Sequence, residues 1–155
     1  MPSLRDHDRF SGTRIKRDRY PGLSQQRMSD KQRCRVLVVE DEPMIAMLVE
    51  DMVVDFGSEV VGPAAGMEEA LSLARQANLD AAILDINVGG KVIFPVADVL
   101  RERGIPLIFA SGYGSDALPP RFLDSPTLPK PFSYRSLSEA LRASLADQPC
   151  HNEAA

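Results

Sequence analysis

Three acids stand in a row at Glu40, Asp41 and Glu42, directly after the apolar run Val36 to Val39. A fourth, Asp85, follows the run Ala81 to Leu84; a hydroxyl, Ser111, follows Leu107 to Ala110; and Lys130 follows a weaker run near Thr127 to Leu128. Residues just past short apolar runs are expected at the carboxyl ends of strands, the edge of an open parallel sheet where ligands bind. If the strands ending at Val39 and Leu84 are neighbours, Glu40, Asp41 and Asp85 converge in one shallow pocket. Two carboxylates about 5 Å apart at an effective dielectric near 20 repel by about 3 kcal/mol, so three ionised acids call for a cation. An all-oxygen ligand set suits Mg²⁺, with Mn²⁺ as a substitute. Beside such a cation a carboxylate can act as nucleophile toward a phosphoryl group while a lysine supplies further positive charge. Asp85 and Lys130 are candidates for that pair.

Each residue also has a blander reading. Asp41 or Glu42, ahead of Pro43, could simply cap a helix. Asp85 could be a turn residue before Gly89-Gly90, Lys130 a solvated lysine between two prolines, and Ser111 an ordinary loop hydroxyl. Singly, these readings would win; acids, hydroxyl and lysine at four matching run ends outweigh them. His7 and His151 lie in terminal segments and are not catalytic candidates.

From Arg35 onward, short apolar runs alternate with helix-length amphipathic segments, the pattern of βα units around a parallel sheet. Five strands are expected, the second at Val60 to Val61. Their continuous apolarity is that of strands covered by helices on both faces. Ile45, Leu48, Val49, Met52, Val53 and Phe56 recur at helical spacing, with Pro43 suited to the first turn and Gly57 to the end. A second helix starting near Gly66 aligns Met67, Ala70, Leu71 and Ala74; a third aligns Ile93, Val96, Ala97 and Leu100. The last, from about Ser133 to Ala146, aligns Leu137, Leu141 and Leu145, with Ser133 as its N-cap. Between the fourth and fifth strands, Ser111 to Ser125 carries Pro119 and Pro120 and leaves little room for a regular helix.

The blocks VLVVEDEP (36–43), AILDINVGG (82–90), FASGYG (109–114) and LPKPF (128–132) resemble, in order, the four signature blocks of the response-regulator receiver family of two-component systems. The resemblance spans about residues 34–146. It implies an α/β, flavodoxin-like (βα)5 three-layer sandwich with a parallel five-stranded sheet of order 2-1-3-4-5, here with a short or irregular fourth helix; this order is one for which receivers are a known example. It further implies that Asp85 is the phosphoacceptor, that Glu40, Asp41, Asp85 and the backbone carbonyl of Asn87 hold Mg²⁺, and that Ser111 and Lys130 bind the phosphoryl group. A cis peptide between Lys130 and Pro131 is implied as well. Two departures bear on switching. Thr127 stands where many members carry an aromatic residue, and Tyr113 completes a Phe-Ala-[Ser/Thr]-Gly-Tyr block similar to that of a single-domain subgroup. Tyr113 and Thr127 are therefore the candidate switch residues.

At 155 residues, 44% apolar and 26% charged, the chain suits one globular domain, and no apolar run nears the roughly 20 residues of a membrane span. Residues 1–33 hold nine Lys/Arg and four Asp/Glu, or +5, leaving nine and eighteen, or −9, for residues 34–155. So acidic a body is a poor nucleic-acid binder, and no direct DNA contact by the domain is expected. Residues 1–33 are expected to be a disordered basic arm, 34–146 the receiver, and 147–155 a flexible tail. Met28, just before SDKQRCRVLVVEDEP, is a candidate start of translation that would leave residues 1–27 outside the cellular protein. Cys34 and Cys150 near opposite ends of the domain are expected as unpaired thiols, Cys34 as a small buried hydrophobe, in a reduced, cytoplasmic setting.

Functionally, these features imply a phosphorelay module. A sensor histidine kinase or histidine phosphotransfer protein donates to Asp85, and the phosphorylated domain binds a downstream protein or serves as a phosphate sink. It is not expected to act on a separate substrate as an enzyme. Two alternatives compete. An aspartyl-phosphate phosphatase of the haloacid-dehalogenase type resembles a D-x-D block after the first strand, whereas here Asp85-Ile86-Asn87 follows the third and no cap domain is available. A non-phosphorylated receiver-like adaptor would not need the complete acid, hydroxyl and lysine set.

Overall fold

The computed structural model describes residues 33–112 and 118–152. Its order is β1 (Arg35–Val39), α1 (Pro43–Phe56), β2 (Glu59–Ala64), α2 (Met67–Gln76), β3 (Ala81–Asp85), β4 (Asn87–Val88), β5 (Lys91–Val92), α3 (Phe94–Glu102), β6 (Leu107–Ser111), a 3₁₀ turn (Pro120–Phe122), β7 (Thr127–Pro129), α4 (Tyr134–Leu145) and a short α5 (Pro149–Asn152). The main sheet is parallel and ordered β2-β1-β3-β6-β7, which is the expected 2-1-3-4-5 once the small β4–β5 hairpin is set aside.

Alternation along each central strand explains why whole strands are apolar. Leu37, Val39, Leu84 and Phe109 face α2 and α3. Val36, Val38, Ile83 and Ile108 face α1 and α4. Both faces are closed, so β1, β3 and β6 expose almost nothing but their ends.

The helices follow the sequence periods with one shift. Ala46, Val49 and Val53 are the buried residues of α1, whereas Leu48, placed by its spacing on the inner face, is 51% exposed. The helix ends at Gly57, whose φ of +99° is the left-handed conformation that stops a helix, with its N–H shared between the carbonyls of Val53 and Val54. Ser133 caps α4 as expected: its Oγ accepts from the Ser136 N–H at 3.1 Å. Glu42, at the N-cap of α1, makes no side-chain capping bond.

Where a fourth covering helix would lie, the described residues contain only the Pro120–Phe122 turn. Phe122 fills the position instead. It is fully buried, with its ring 5.7 Å from that of Phe94 and 5.4 Å from that of Phe109. The guanidinium groups of Arg101 and Arg121 lie 5.0 and 4.7 Å from its centroid, within cation–π range. Arg121 Nε also meets Asp98 Oδ1 at 2.9 Å, and Arg101 bonds both Asp124 and the Arg121 carbonyl.

Cys34 is buried as expected, but it is not an unpaired thiol: it forms a disulfide with Cys150, 116 residues away. Within the segment expected as a tail from residue 147, residues 149–152 form one helical turn that carries this cysteine. The cause is topological. Helices return antiparallel to the strands, so α4 ends at the sheet edge where β1 begins. No helix among the described residues is long and apolar enough to cross a membrane.

Candidate functional site

Strand register builds the site. Val39 is level with Leu84, which puts Glu40 beside Asp85; Asp85 is level with Ala110, one short of Ser111; and Ser111 is level with Pro129, one short of Lys130. The ladder extends past the strand ends, with the Lys130 N–H donating to the Ser111 carbonyl at 2.9 Å and the Glu40 N–H to Ala64 at 3.0 Å. The four sequence-predicted blocks thus end on one edge. Carboxylate oxygens of Glu40, Asp41 and Asp85 lie within 4.8 Å of one another.

Lys130 crosses this group. Its Nζ is 2.7 Å from Glu40 Oε2 and 3.2 Å from Asp85 Oδ2. Glu40 is 4% exposed and also accepts from the Glu42 N–H at 3.1 Å. Burial pushes the Glu40 carboxyl above its ordinary value, more than the Lys130 and Glu42 hydrogen bonds pull it down, and the Asp85 charge adds to the rise. Burial alone would lower the Lys130 ammonium. The hydrogen bond to Glu40 and the charges of Asp85 and Glu40 outweigh it, so Lys130 sits above the usual lysine range.

Asp41 is exposed, and its Oδ2 accepts from the Gly89 N–H at 3.0 Å. The cap role open to Asp41 in the sequence is thereby taken up by a contact across 48 residues. Gly89 and Gly90, at φ +57° and +78°, form the two-residue turn of the β4–β5 hairpin. Asn87 begins that hairpin, its side chain exposed and its N–H 3.4 Å from Asp85 Oδ1. Sequence reading passed over Gly89 as a site residue, although Gly-Gly between Asn87-Val88 and Lys91-Val92 is a recognisable hairpin signal.

The donor chemistry fits a hard divalent cation. Three carboxylates of differing exposure meet at an open edge, and the only ammonium drawn to them among the described residues is Lys130. Ser111 is buried at the end of β6, two positions along the strand from Phe109 and on the same face. The Lys130–Pro131 peptide is cis, as the family resemblance implied, and Gly62–Pro63 is a second. Thr127, a candidate switch residue, is level with Phe109, and its buried Oγ1 has no hydrogen-bond partner among the described residues. Tyr113 lies outside the described residues.

Comparison with known proteins places this fold in a family. Residues 36–142 match the response regulator receiver domain, and the chain belongs to that family. It is 32% identical over 119 residues to the phyllosphere-induced regulator PhyR of Methylorubrum extorquens, covering 71% of this chain and 43% of that protein. It is 29% identical to the transcriptional regulatory protein PdtaR of Mycobacterium tuberculosis over 72% of this chain and 57% of that one. The chain thus spans about half the length of these curated relatives. Among solved structures, SdrG from Sphingomonas melonis Fr1 superposes with a TM-score of 0.65 at 40% identity, covering 74% of this chain and 98% of SdrG. PhyR and PdtaR are described as regulators, and SdrG has also been solved in a BeF3-activated conformation, with a TM-score of 0.61 to this chain.

Proposed function

We propose that this chain is a phosphorelay receiver: Asp85 accepts a phosphoryl group from the phosphohistidine of a sensor histidine kinase or a histidine phosphotransfer protein. The observation that carries this reading is the convergence of Asp85 with Glu40, Asp41 and Lys130 at the carboxyl edge of the sheet. In the transfer, a carboxylate oxygen of Asp85 bonds to phosphorus as the bond from phosphorus to the donor imidazole nitrogen breaks. The electron pair leaves with the imidazole. Glu40, Asp41, Asp85 and the Asn87 carbonyl would hold Mg²⁺, or Mn²⁺, which when bound offsets the charge on the phosphoryl oxygens. Lys130 would contribute an ammonium at the same oxygens, and the Ser111 hydroxyl would hydrogen-bond one of them.

Protein partners suit the surroundings of the site. A donor must bring its histidine to Asp85, so it must cover the surface beside Asp41, where α1 begins. That surface exposes Met44 at 84%, Met47 at 65% and Leu48 at 51%, an apolar face that a helical donor would bury. Downstream, we propose signalling by protein contact, with Thr127 and Tyr113 as switch residues, or a phosphate-sink role. The relation to PhyR favours contact: PhyR of Bartonella quintana, 29% identical over 86% of this chain and 56% of its own, is described as an anti-anti-sigma factor. A cytoplasmic location fits such partners, and neither a separate enzymatic substrate nor a nucleic-acid ligand is required.

Incubation with acetyl phosphate and Mg²⁺ tests the reading. A phosphoryl-sized mass gain on the wild type that is absent from Asp85→Asn supports it. No gain on the wild type with or without metal would assign the chain to a non-phosphorylated adaptor.

A further inference from the structure

We propose that Cys34 and Cys150 form a reversible thiol–disulfide modification site whose oxidant is a low-molecular-weight disulfide. The site stands apart from the phosphoacceptor. Cys34 immediately precedes β1, and Glu40 follows its far end, about 20 Å away at the rise of an extended strand. Cys150 sits on α5, the turn that follows α4, and the two Cα atoms are 5.1 Å apart. Both residues pack on the core face formed by α1 and α4, so the pair is brought together by the fold and not by a floppy encounter.

Unequal access assigns the two roles. Cys34 is 6% exposed and Cys150 is half-buried. The Cys150 thiolate attacks one sulfur of the small disulfide, forming a mixed disulfide and releasing one small thiolate. The Cys34 thiolate then attacks the Cys150 sulfur and expels the second. Two protein thiols are oxidised to one disulfide, one small disulfide is reduced to two thiols, and the two protons pass to the leaving thiolates. An Asp80 carboxylate oxygen lies within 4.8 Å of both sulfurs, and Asp80 also accepts from the Arg35 N–H at 2.7 Å.

What changes is whether the domain is covalently closed. The bridge spans 116 residues and encloses every element from β1 to α4. Closing so long a loop restricts the unfolded chain strongly, so oxidation should raise the melting temperature by about 10 °C. Reduction should also release α5, because Cys150 ties that turn to the core.

The test uses the full chain equilibrated with reduced or oxidised glutathione, quenched by alkylation and weighed intact. Two alkylated cysteines are expected in reduced glutathione and none in oxidised, with the chain monomeric and the peptides containing Cys34 and Cys150 joined. Cys150→Ser should melt with the reduced wild type, ignore glutathione, and retain wild-type labelling at Asp85. Cys34→Ser should accumulate a mixed disulfide with glutathione on Cys150. Three results would each overturn the proposal: two alkylatable cysteines in oxidised glutathione, a disulfide between two copies, or one-to-one Zn²⁺ uptake by the reduced chain that Cys150→Ser abolishes.

Discussion

The Lys130 ammonium lies 2.7 Å from Glu40 Oε2, although ninety residues separate them in the chain. The same nitrogen reaches Asp85 Oδ2 at 3.2 Å. One cation therefore serves two acids, and removing it has two effects. Lys130→Met leaves Glu40 buried without its charged partner, which should cost about 2 kcal/mol in chemical denaturation. It also removes positive charge from the transferring phosphoryl group, so labelling of Asp85 should slow by about 100-fold. Unchanged labelling by acetyl phosphate would separate Lys130 from the chemistry.

Glu40 makes the metal-free protein sensitive to pH. Its folded carboxyl is held above the ordinary 4.5, chiefly by burial, so the folded chain binds that proton more tightly than the unfolded one. The resulting stability is full below pH 4.5 and lost as pH rises through the raised folded value. Thermal melts of wild type and Glu40→Gln in chelator should diverge across this window, the wild type losing ground. Saturating Mg²⁺ should restore it, since a cation favours the ionised form. A pH-independent difference between the two proteins would contradict the account.

The hairpin amide at Gly89 orients Asp41 from behind. Gly89→Ala forces an L side chain into φ +57°, at a cost of about 1 kcal/mol. A looser Asp41 should weaken Mg²⁺ binding by about 10-fold, as loss of an orienting partner does at other metal sites. Titration of amide resonances with Mg²⁺ reads this directly.

Phe122 should be the most sensitive position in the segment that replaces a fourth helix. Phe122→Ala removes a fully buried ring from between Phe94, Phe109 and two guanidinium groups. A loss of about 4 kcal/mol is expected in urea denaturation. Asp85 should still label in the folded fraction.

Local signals carried most of this architecture. Leu137, Leu141 and Leu145 recur at helical spacing behind a serine cap, and they are fully buried on α4. The candidate site was legible because each of these strands ends at, or one residue before, a candidate residue, so register alone brings Glu40, Asp85, Ser111 and Lys130 to one edge. What escaped depends on contacts distant in sequence. No spacing rule pairs Cys34 with Cys150, seats Phe122 against Phe94, or aims the Gly89 amide at Asp41. Leu48 fits the inner stripe of α1 by period, yet it lies at the margin of a helix that buries only a narrow face.

The most direct test of the central claim is intact-protein mass after incubation with acetyl phosphate, with and without Mg²⁺, on wild type and Asp85→Asn. The account predicts a single phosphoryl-sized gain on the wild type that requires Mg²⁺ and vanishes in the variant. An equal gain on Asp85→Asn, or none on the wild type in the presence of Mg²⁺, would contradict it.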